Sequence, residues 1–142
     1  MIAVDTNVLL RYLLQDDKDQ SAKAIKLITG NRLVLVTDVV LVETIWTLRG
    51  RKYQLSKKDL VLVIQALFQE PNIRFEAGQA VWIALNDYRK SKPVKGEEAD
   101  FADALIINKA KLTIAKRKQH FGGAYTFDKA AQSLPGAKAP YL

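Results

Sequence analysis

Short apolar runs alternate with longer segments of helical periodicity along this chain, and most of the short runs end at a polar or acidic residue. The runs that predict strands cover residues 2–4, 33–36, 73–75 and 124–127. The segments between them carry apolar side chains at the three- and four-residue spacing of helices. Such an alternation is typical of a parallel sheet with helices on both faces. We therefore predict an α/β fold, a three-layer α/β/α sandwich around a central, mainly parallel sheet.

The length of the chain, 142 residues, fits one domain, because domains cluster near ~100–150 residues. We accordingly expect a single domain over residues 1–142. The predicted helices cover residues 6–14, 20–29, 39–48, 60–68, 76–90 and 100–118. Helix starts are marked by residues typical of N-caps, such as Thr37 or Asp38 for the third helix and Ser56 for the fourth.

The chain has no cysteine and a single histidine, which excludes several kinds of catalytic site. Without cysteine there are no disulfides, thiolate zinc sites or cysteine nucleophiles. His120 lies among basic and turn residues, and no serine has the flanking glycines of a nucleophile elbow. Glycine-rich phosphate-binding motifs are also absent. No apolar run reaches the ~18 residues of a membrane span and the N-terminus lacks a secretory signal, so we expect a cytoplasmic protein that makes no membrane contact.

The basic excess of the chain, a net charge of +7, is concentrated near the C-terminus. Residues 101–142 contain seven basic and two acidic side chains. Five of the basic residues lie within ten positions: Lys109, Lys111, Lys116, Arg117 and Lys118. Such a cluster can attract a polyanion. It is equally consistent with a solvated helix end, where cations match the negative pole of the helix dipole.

Four acids occupy positions where carboxylates are unusual. Asp5 and Asp128 each follow a predicted strand, and Glu43 and Asp103 lie inside otherwise apolar helices. Asp and Glu are almost never fully buried unless they are paired or bind a metal. Asp100 lies on the same helical face as Asp103. Carboxylate ligands favour Mg²⁺ or Mn²⁺ over zinc or copper, and the nucleophile would then be a metal-activated water.

Each acid also has a local alternative role. Asp5 and Asp100 could cap the helices that follow them, and Asp128 could be a turn residue. Glu43 could pair with Arg49 or Lys52 on the helix surface. A shared metal site explains all the acids at once, whereas the local roles require a separate explanation for each.

Four blocks of the chain resemble PIN-domain ribonucleases, and most closely the VapC-type toxins of toxin–antitoxin pairs. The blocks occur in the family's order and span nearly the whole chain. They are residues 2–12 with Asp5, residues 42–48 with Glu43, residues 99–106 with Asp100 and Asp103, and residues 126–136 with Asp128. The resemblance implies a parallel sheet, an acidic pocket that holds Mg²⁺ or Mn²⁺, and endonucleolytic cleavage of RNA.

The resemblance also implies roles for individual residues. Asp5, Glu43, Asp103 and Asp128 would be catalytic, and together with Asp100 they would ligate the metal. Asn7 and Thr126 would orient carboxylates, or would be only a helix cap and a polar strand residue. The candidate RNA contacts are Arg49, Arg51, Lys52, Lys109, Lys116, Arg117 and Lys118. Residues 49–52 could equally contact an antitoxin.

The function that follows is a metal-dependent endoribonuclease, the toxin of a type II toxin–antitoxin pair. Its partners would be RNA, a cognate antitoxin and a second copy of itself in a homodimer. One alternative is a PIN-domain nuclease of RNA processing without an antitoxin, and another is a catalytically inactive module that binds RNA or protein. We disfavour a phosphorylated receiver domain, because Asp5 is followed by Thr6 rather than by a second acid. We expect Trp46 and Phe68 in the core, the alternative being that they face a partner.

Overall fold

The computed structural model describes residues 1–141, in which six α-helices, five short strands and one 3₁₀ turn occur. The strands are β1 (Ile2–Ala3), β2 (Val34–Val36), β3 (Ile73–Phe75), β4 (Ala124–Tyr125) and β5 (Ala137–Lys138). The helices are α1 (Thr6–Leu14), α2 (Lys18–Ile28), α3 (Asp38–Arg49), α4 (Lys57–Gln69), α5 (Gly78–Lys90) and α6 (Phe101–Lys116). The 3₁₀ helix is Ala131–Ser133. Within the described residues, no helix is both long and apolar enough to cross a membrane.

The chain divides into two compact units, residues 1–76 and the residues from Ala77 onward. In the first unit the three strands form a parallel sheet in the order β1-β2-β3, with Ile2 beside Val34 and Val34 beside Ile73. Helices α1 to α4 belong to the same unit. The predicted α/β fold with parallel strands and flanking helices is confirmed.

The helices of the first unit begin where a side-chain oxygen accepts a hydrogen bond from the backbone N–H three residues ahead. Asp5, Asp17, Thr37 and Ser56 have this role for α1, α2, α3 and α4. Such caps satisfy N–H groups that have no partner inside the helix. The cap at Asp17 starts α2 two residues before the predicted start at residue 20.

The core of the first unit is aliphatic. Its fully buried large side chains include Leu9, Ile28, Leu41, Leu48, Leu60 and Ile64. Phe68 is half-buried and packs on Phe75, with the ring centroids 4.6 Å apart. The prediction of a core position was wrong for Trp46, which is 52% exposed. The reason is that α3 is apolar around most of its circumference, while only one side of it faces the core.

The second unit is built on the packing of α5 against α6. Tyr88 contacts Phe101 edge to face, with the centroids 6.0 Å apart. The buried Asn108 side chain donates to Asp87 at 3.0 Å and to the carbonyl oxygen of Ala104 at 2.8 Å. These hydrogen bonds satisfy a polar side chain that would be costly to bury without partners.

Strands β4 and β5 form a separate parallel pair in the second unit, so the four predicted strands are distributed over two ladders. The sequence did not predict β5, because a strand of two residues shows no periodicity. Gly136 precedes it with a φ of 88°, a left-handed conformation that favours glycine. A Cβ at this position would lie 2.5 Å from Cε of Lys111, but that atom is near the end of a flexible side chain that can move aside, so the left-handed φ is the stronger reason for glycine.

Two leucines of α4 allow a matched test of this core. Leu60 is fully buried, whereas Leu62 is 54% exposed. We expect Leu60→Ala to lower the free energy of unfolding by roughly 2–5 kcal/mol, because it removes buried methyl groups and leaves a cavity. Leu62→Ala should change it by no more than about 0.5 kcal/mol. Urea unfolding of both variants is the measurement, and equal losses would contradict the described orientation of α4.

Candidate functional site

Asp5 lies at the carboxyl end of β1 and at the start of α1. Its Oδ1 accepts a hydrogen bond of 3.0 Å from the N–H of Val8. The predicted local role as a helix cap is therefore confirmed. Asp5 is nevertheless exposed, so capping does not remove its carboxylate from solvent. In parallel sheets the carboxyl ends of strands are where ligands bind.

Glu43 lies close to the same helix start, although it is 38 positions further along the chain. Its Oε2 accepts a hydrogen bond of 3.0 Å from the hydroxyl of Thr6, the residue after Asp5. We call Asp5 and Glu43 the first acidic group. Glu43 is exposed, although the helix that carries it is largely apolar. It shares the exposed side of α3 with Val39 and Trp46.

A cavity of about 300 Å³ adjoins the first acidic group. It lies between α1 and α2, and it is lined by Asp5, Asn7, Val8, Arg11, Gln20, Lys23, Ala24 and Leu27. Arg11 is held there by hydrogen bonds to Asp16 at 2.8 Å and to Gln20 at 2.9 Å. Asn7, a predicted supporting residue, shares this cavity with Asp5.

Two further acids lie at the same edge of the sheet and were not among the predicted site residues. Asp38 follows β2 and Glu76 follows β3, so each of the three parallel strands is followed by an acid. The N–H of Asp38 donates to Oε1 of Glu76 at 3.0 Å. The sequence already shows these two acids after predicted strands, but it was interpreted as placing both at the starts of helices.

Asp100 and Asp103 form a reciprocal pair at the start of α6. The N–H of Asp103 donates to Oδ1 of Asp100 at 2.9 Å, and the N–H of Asp100 donates to Oδ2 of Asp103 at 3.1 Å. This is a capping box, which satisfies two backbone donors at once. The predicted role of Asp100 as a cap is confirmed, and Asp103 is its partner.

Asp128 completes what we call the second acidic group, Asp100, Asp103 and Asp128. Its Oδ1 accepts from the N–H of Ala131 at 3.0 Å, and its own N–H donates to Oγ1 of Thr126 at 3.1 Å. Asp128 is thus a turn residue, as its alternative role predicted. Thr126, the other predicted supporting residue, holds the backbone of this turn.

The surroundings of Asp103 change the pKa of its carboxyl. Burial, together with the negative charges of Asp100 and Asp128, raises the pKa of Asp103 to about 6, although the hydrogen bond from the Asp100 backbone acts in the opposite direction. Strongly perturbed carboxyls of this kind are typical of functional sites. A cation bound here would relieve the repulsion between the three acids.

Asp103 also lines a cavity of about 130 Å³ in the second unit. The other lining residues are Ile106, Ile107, Ala124, Tyr125, Thr126 and Ala131. The cavity therefore brings the predicted ligand Asp103 and the predicted supporting residue Thr126 together. Its walls are mainly apolar, apart from these two residues and the hydroxyl of Tyr125.

The donor set of both acidic groups, carboxylates alone, suits a hard cation such as Mg²⁺ or Mn²⁺. Across residues 1–141, however, no three His, Cys, Asp or Glu side chains are placed to hold a metal ion. The carboxylates are engaged in hydrogen bonds to backbone N–H groups and to Thr6. Ligation of one ion by three of these acids would therefore require their side chains to move from the described positions.

The predicted RNA-binding residues occupy three places. Arg49, Arg51 and Lys52 are exposed at the end of α3. Lys109 is half-buried within α6. We call Lys116, Arg117 and Lys118 the basic cluster. It is exposed at the C-terminal end of α6, which agrees with the predicted alternative of a solvated helix end. Lys116 is thirteen residues beyond Asp103, roughly 20 Å along the helix axis. The basic cluster therefore does not line the cavity at Asp103.

Comparisons with known proteins place the chain in a family. A comparison with curated proteins finds no match. Among solved structures, the crystal structure of Mycobacterium tuberculosis VapC20, a sarcin–ricin loop cleaving toxin, matches at 19% sequence identity. That match covers 93% of each chain with a TM-score of 0.40. The family profile of the PIN domain matches residues 2–134, nearly the whole chain. The chain therefore belongs to the PIN-domain family of nucleases, as the sequence predicted.

Proposed function

We propose that this chain is a metal-dependent endoribonuclease and the toxin of a type II toxin–antitoxin pair. The observation that carries the proposal is the half-buried carboxyl of Asp103, whose pKa is raised to about 6 beside Asp100 and Asp128. The three carboxylates repel one another because they carry like charges, and a divalent cation bound near them would relieve this repulsion. Membership of a nuclease family agrees with this chemistry. We also propose that both compact units belong to one nuclease domain, because the family match spans them.

We propose Asp5, Glu43, Asp100, Asp103 and Asp128 as the residues that hold Mg²⁺ or Mn²⁺. When bound, such an ion would supply positive charge near the phosphodiester and would lower the pKa of a water that serves as the nucleophile. The chain's own residues set the direction of the carboxylates. Thr6 holds Glu43, and the turn made by Thr126 holds Asp128. Asn7 is proposed to orient Asp5 from within the same cavity.

The partners follow from the same proposal. RNA is the substrate, and a small antitoxin protein would suppress cleavage. A homodimer is proposed as well, with cytoplasmic RNA as the target. Arg49, Arg51 and Lys52 at the end of α3 are exposed and suit contact with RNA phosphates or with acidic residues of the antitoxin. A nuclease of RNA processing would have the same site but no antitoxin. The experiment below distinguishes this alternative from a toxin.

Substitution of the proposed ligands tests the reaction. We expect Asp5→Asn and Asp103→Asn each to slow RNA cleavage by at least ~100-fold, because each removes a negative oxygen ligand of the ion. EDTA should abolish cleavage by the wild type, and added Mg²⁺ or Mn²⁺ should restore it. The measurement is cleavage of total RNA in vitro, followed by sequencing of RNA 5′ ends after induction in cells.

The control for this experiment is Asp59→Asn, which changes an exposed acid in the first turn of α4 in the same way. It should cleave like the wild type. Wild-type rates from Asp103→Asn, or cleavage in EDTA, would refute the metal site. Cleavage without growth arrest on induction would favour RNA processing over a toxin.

The raised pKa of Asp103 predicts how stability depends on pH. In the unfolded chain this carboxyl ionises near pH 4, whereas in the folded chain its pKa is about 6. The folded state therefore favours the protonated carboxyl of Asp103. The stability that this carboxyl contributes is fully present below about pH 4 and is lost as pH rises through about 6. Since Asp103→Asn cannot ionise, we expect the variant to gain stability relative to the wild type between pH 4 and pH 7.

Urea unfolding at several pH values in EDTA measures this difference, because EDTA removes any bound cation. Asp59→Asn is again the control for exchanging a carboxyl for an amide. If the wild type and Asp103→Asn have parallel profiles between pH 4 and pH 7, the carboxyl of Asp103 is not destabilised in the folded state.

The basic cluster is expected to contribute to RNA affinity without contributing to the reaction. Replacing Lys116, Arg117 and Lys118 by Gln should weaken binding of long RNA and reduce the slope of log affinity against log salt by up to about 2. Cleavage of a short oligonucleotide should stay unchanged, because the cluster lies roughly 20 Å along α6 from Asp103. Binding of RNA between 50 mM and 300 mM salt is the measurement. Gln at Lys90, Lys92 and Lys95 removes equal charge elsewhere, and equal losses from both triple variants would refute a specific role.

A further inference from the structure

Two aromatic side chains next to the second acidic group are exposed without an evident structural role. Tyr125 is 55% exposed and Phe127 is 84% exposed. They lie on either side of Thr126, and Phe127 immediately precedes Asp128. Tyr125 and the exposed Ile106 line the cavity that contains Asp103. Phe127 lies next to the cavity without lining it, and exposed apolar side chains beside polar groups are typical of binding surfaces.

The backbone that carries the two rings is held on both sides. Tyr125 is in register with Lys138 of β5, and the N–H of Thr126 donates to the carbonyl oxygen of Lys138 at 3.0 Å. Beyond Phe127, the side chain of Asp128 fixes the turn through the N–H of Ala131. The rings therefore project from a fixed segment, and little conformational entropy would be lost when they bind a ligand.

Basic side chains are interleaved with these rings. Register partners of a parallel pair place their side chains on the same face, so Lys138 shares a face of the ladder with Tyr125. Lys129 follows Asp128 and is exposed, as is Lys138. Exposed aromatic rings alternating with cations are the combination by which proteins bind single-stranded nucleic acids, with bases on the rings and phosphates on the cations.

We propose that Tyr125 and Phe127 form a base-stacking subsite for unpaired nucleotides beside the phosphate presented to Asp103 and Asp128. Lys129 and Lys138 neutralise the neighbouring phosphates of the same strand. This inference rests on the proposed ribonuclease function and assigns to two named side chains the role of holding unpaired bases by stacking. Paired bases already stack within their duplex, so a double-stranded segment does not fit. Tyr125 and Phe127 are positioning residues and take no part in bond cleavage.

The experiment measures binding in EDTA, which separates the subsite from metal and cleavage. The full-length wild type is titrated with a ten-nucleotide oligoadenylate and with an abasic strand of equal length and charge. We expect the strand with bases to bind between about 5-fold and 150-fold more tightly for each stacked base. In Tyr125→Ala and Phe127→Ala this preference should fall, and in the double variant it should disappear. An oligoadenylate that contains 2-aminopurine should lose fluorescence on binding the wild type but not the double variant.

Three matched variants separate stacking from other effects. Tyr125→Phe keeps the ring and should keep the preference for bases. Lys138→Gln should weaken binding of both strands equally, because it acts on phosphate. Trp82→Ala removes another exposed aromatic side chain of the second unit, outside the cavity lining, and should leave the preference unchanged. Thermal unfolding of each variant confirms that it is folded.

The proposal is overturned if the wild type binds both strands equally, or if the double variant keeps the preference for bases. It is also overturned if the double variant changes only the oligomeric state, since the rings then serve a protein contact. A different result would refute the proposed ribonuclease function, namely that the wild type cleaves no RNA in Mg²⁺ or Mn²⁺. A preference for bases in such a chain would still support the subsite.

Discussion

Backbone N–H groups at helix starts and turns hold the very carboxylates that are proposed to bind the metal. Asp5 caps α1, Asp100 and Asp103 form the capping box of α6, and Asp128 fixes the turn before the 3₁₀ helix. The same side chains thus have a folding role and a proposed catalytic role. Asn is as good a cap as Asp. Exchange of Asp for Asn therefore removes the charge while it keeps the local fold, which separates the two roles.

The charge of Asp103 is governed by opposing effects. The hydrogen bond from the Asp100 backbone N–H stabilises the ionised carboxyl of Asp103 and so lowers its pKa. At Asp103, burial and the charges of Asp100 and Asp128 outweigh that effect, so its pKa rises to about 6. The folded state thus contains a carboxyl whose ionised form is unfavourable near neutral pH. Such a group gains most from a bound cation, which is why the second acidic group supports the metal proposal more strongly than the exposed Asp5 and Glu43.

The sequence predicted elements and their starts better than it predicted exposure. All six helices were recognised, because apolar periodicity and capping residues at positions such as Thr37 and Ser56 are local properties of the chain. Exposure depends on which neighbours cover a helix, so the apolar pattern of α3 did not reveal that Glu43 and Trp46 face solvent. The hydrogen bond from Thr6 to Glu43 spans 37 positions and has no local signal.

The proposed recognition of RNA has two parts that are separated along α6 and that differ in their physical dependence. Attraction to the basic cluster weakens as salt rises, because it depends on the release of counterions from phosphates. The proposed stacking on Tyr125 and Phe127 depends on the bases, whereas the neighbouring contacts of Lys129 and Lys138 with phosphates depend on salt. Roughly 20 Å of helix lies between Asp103 and the basic cluster, so the cluster is not in contact with the cavity at Asp103. Selectivity among RNA sites is thus expected to reside near β4, while the end of α6 adds affinity for long RNA of any sequence.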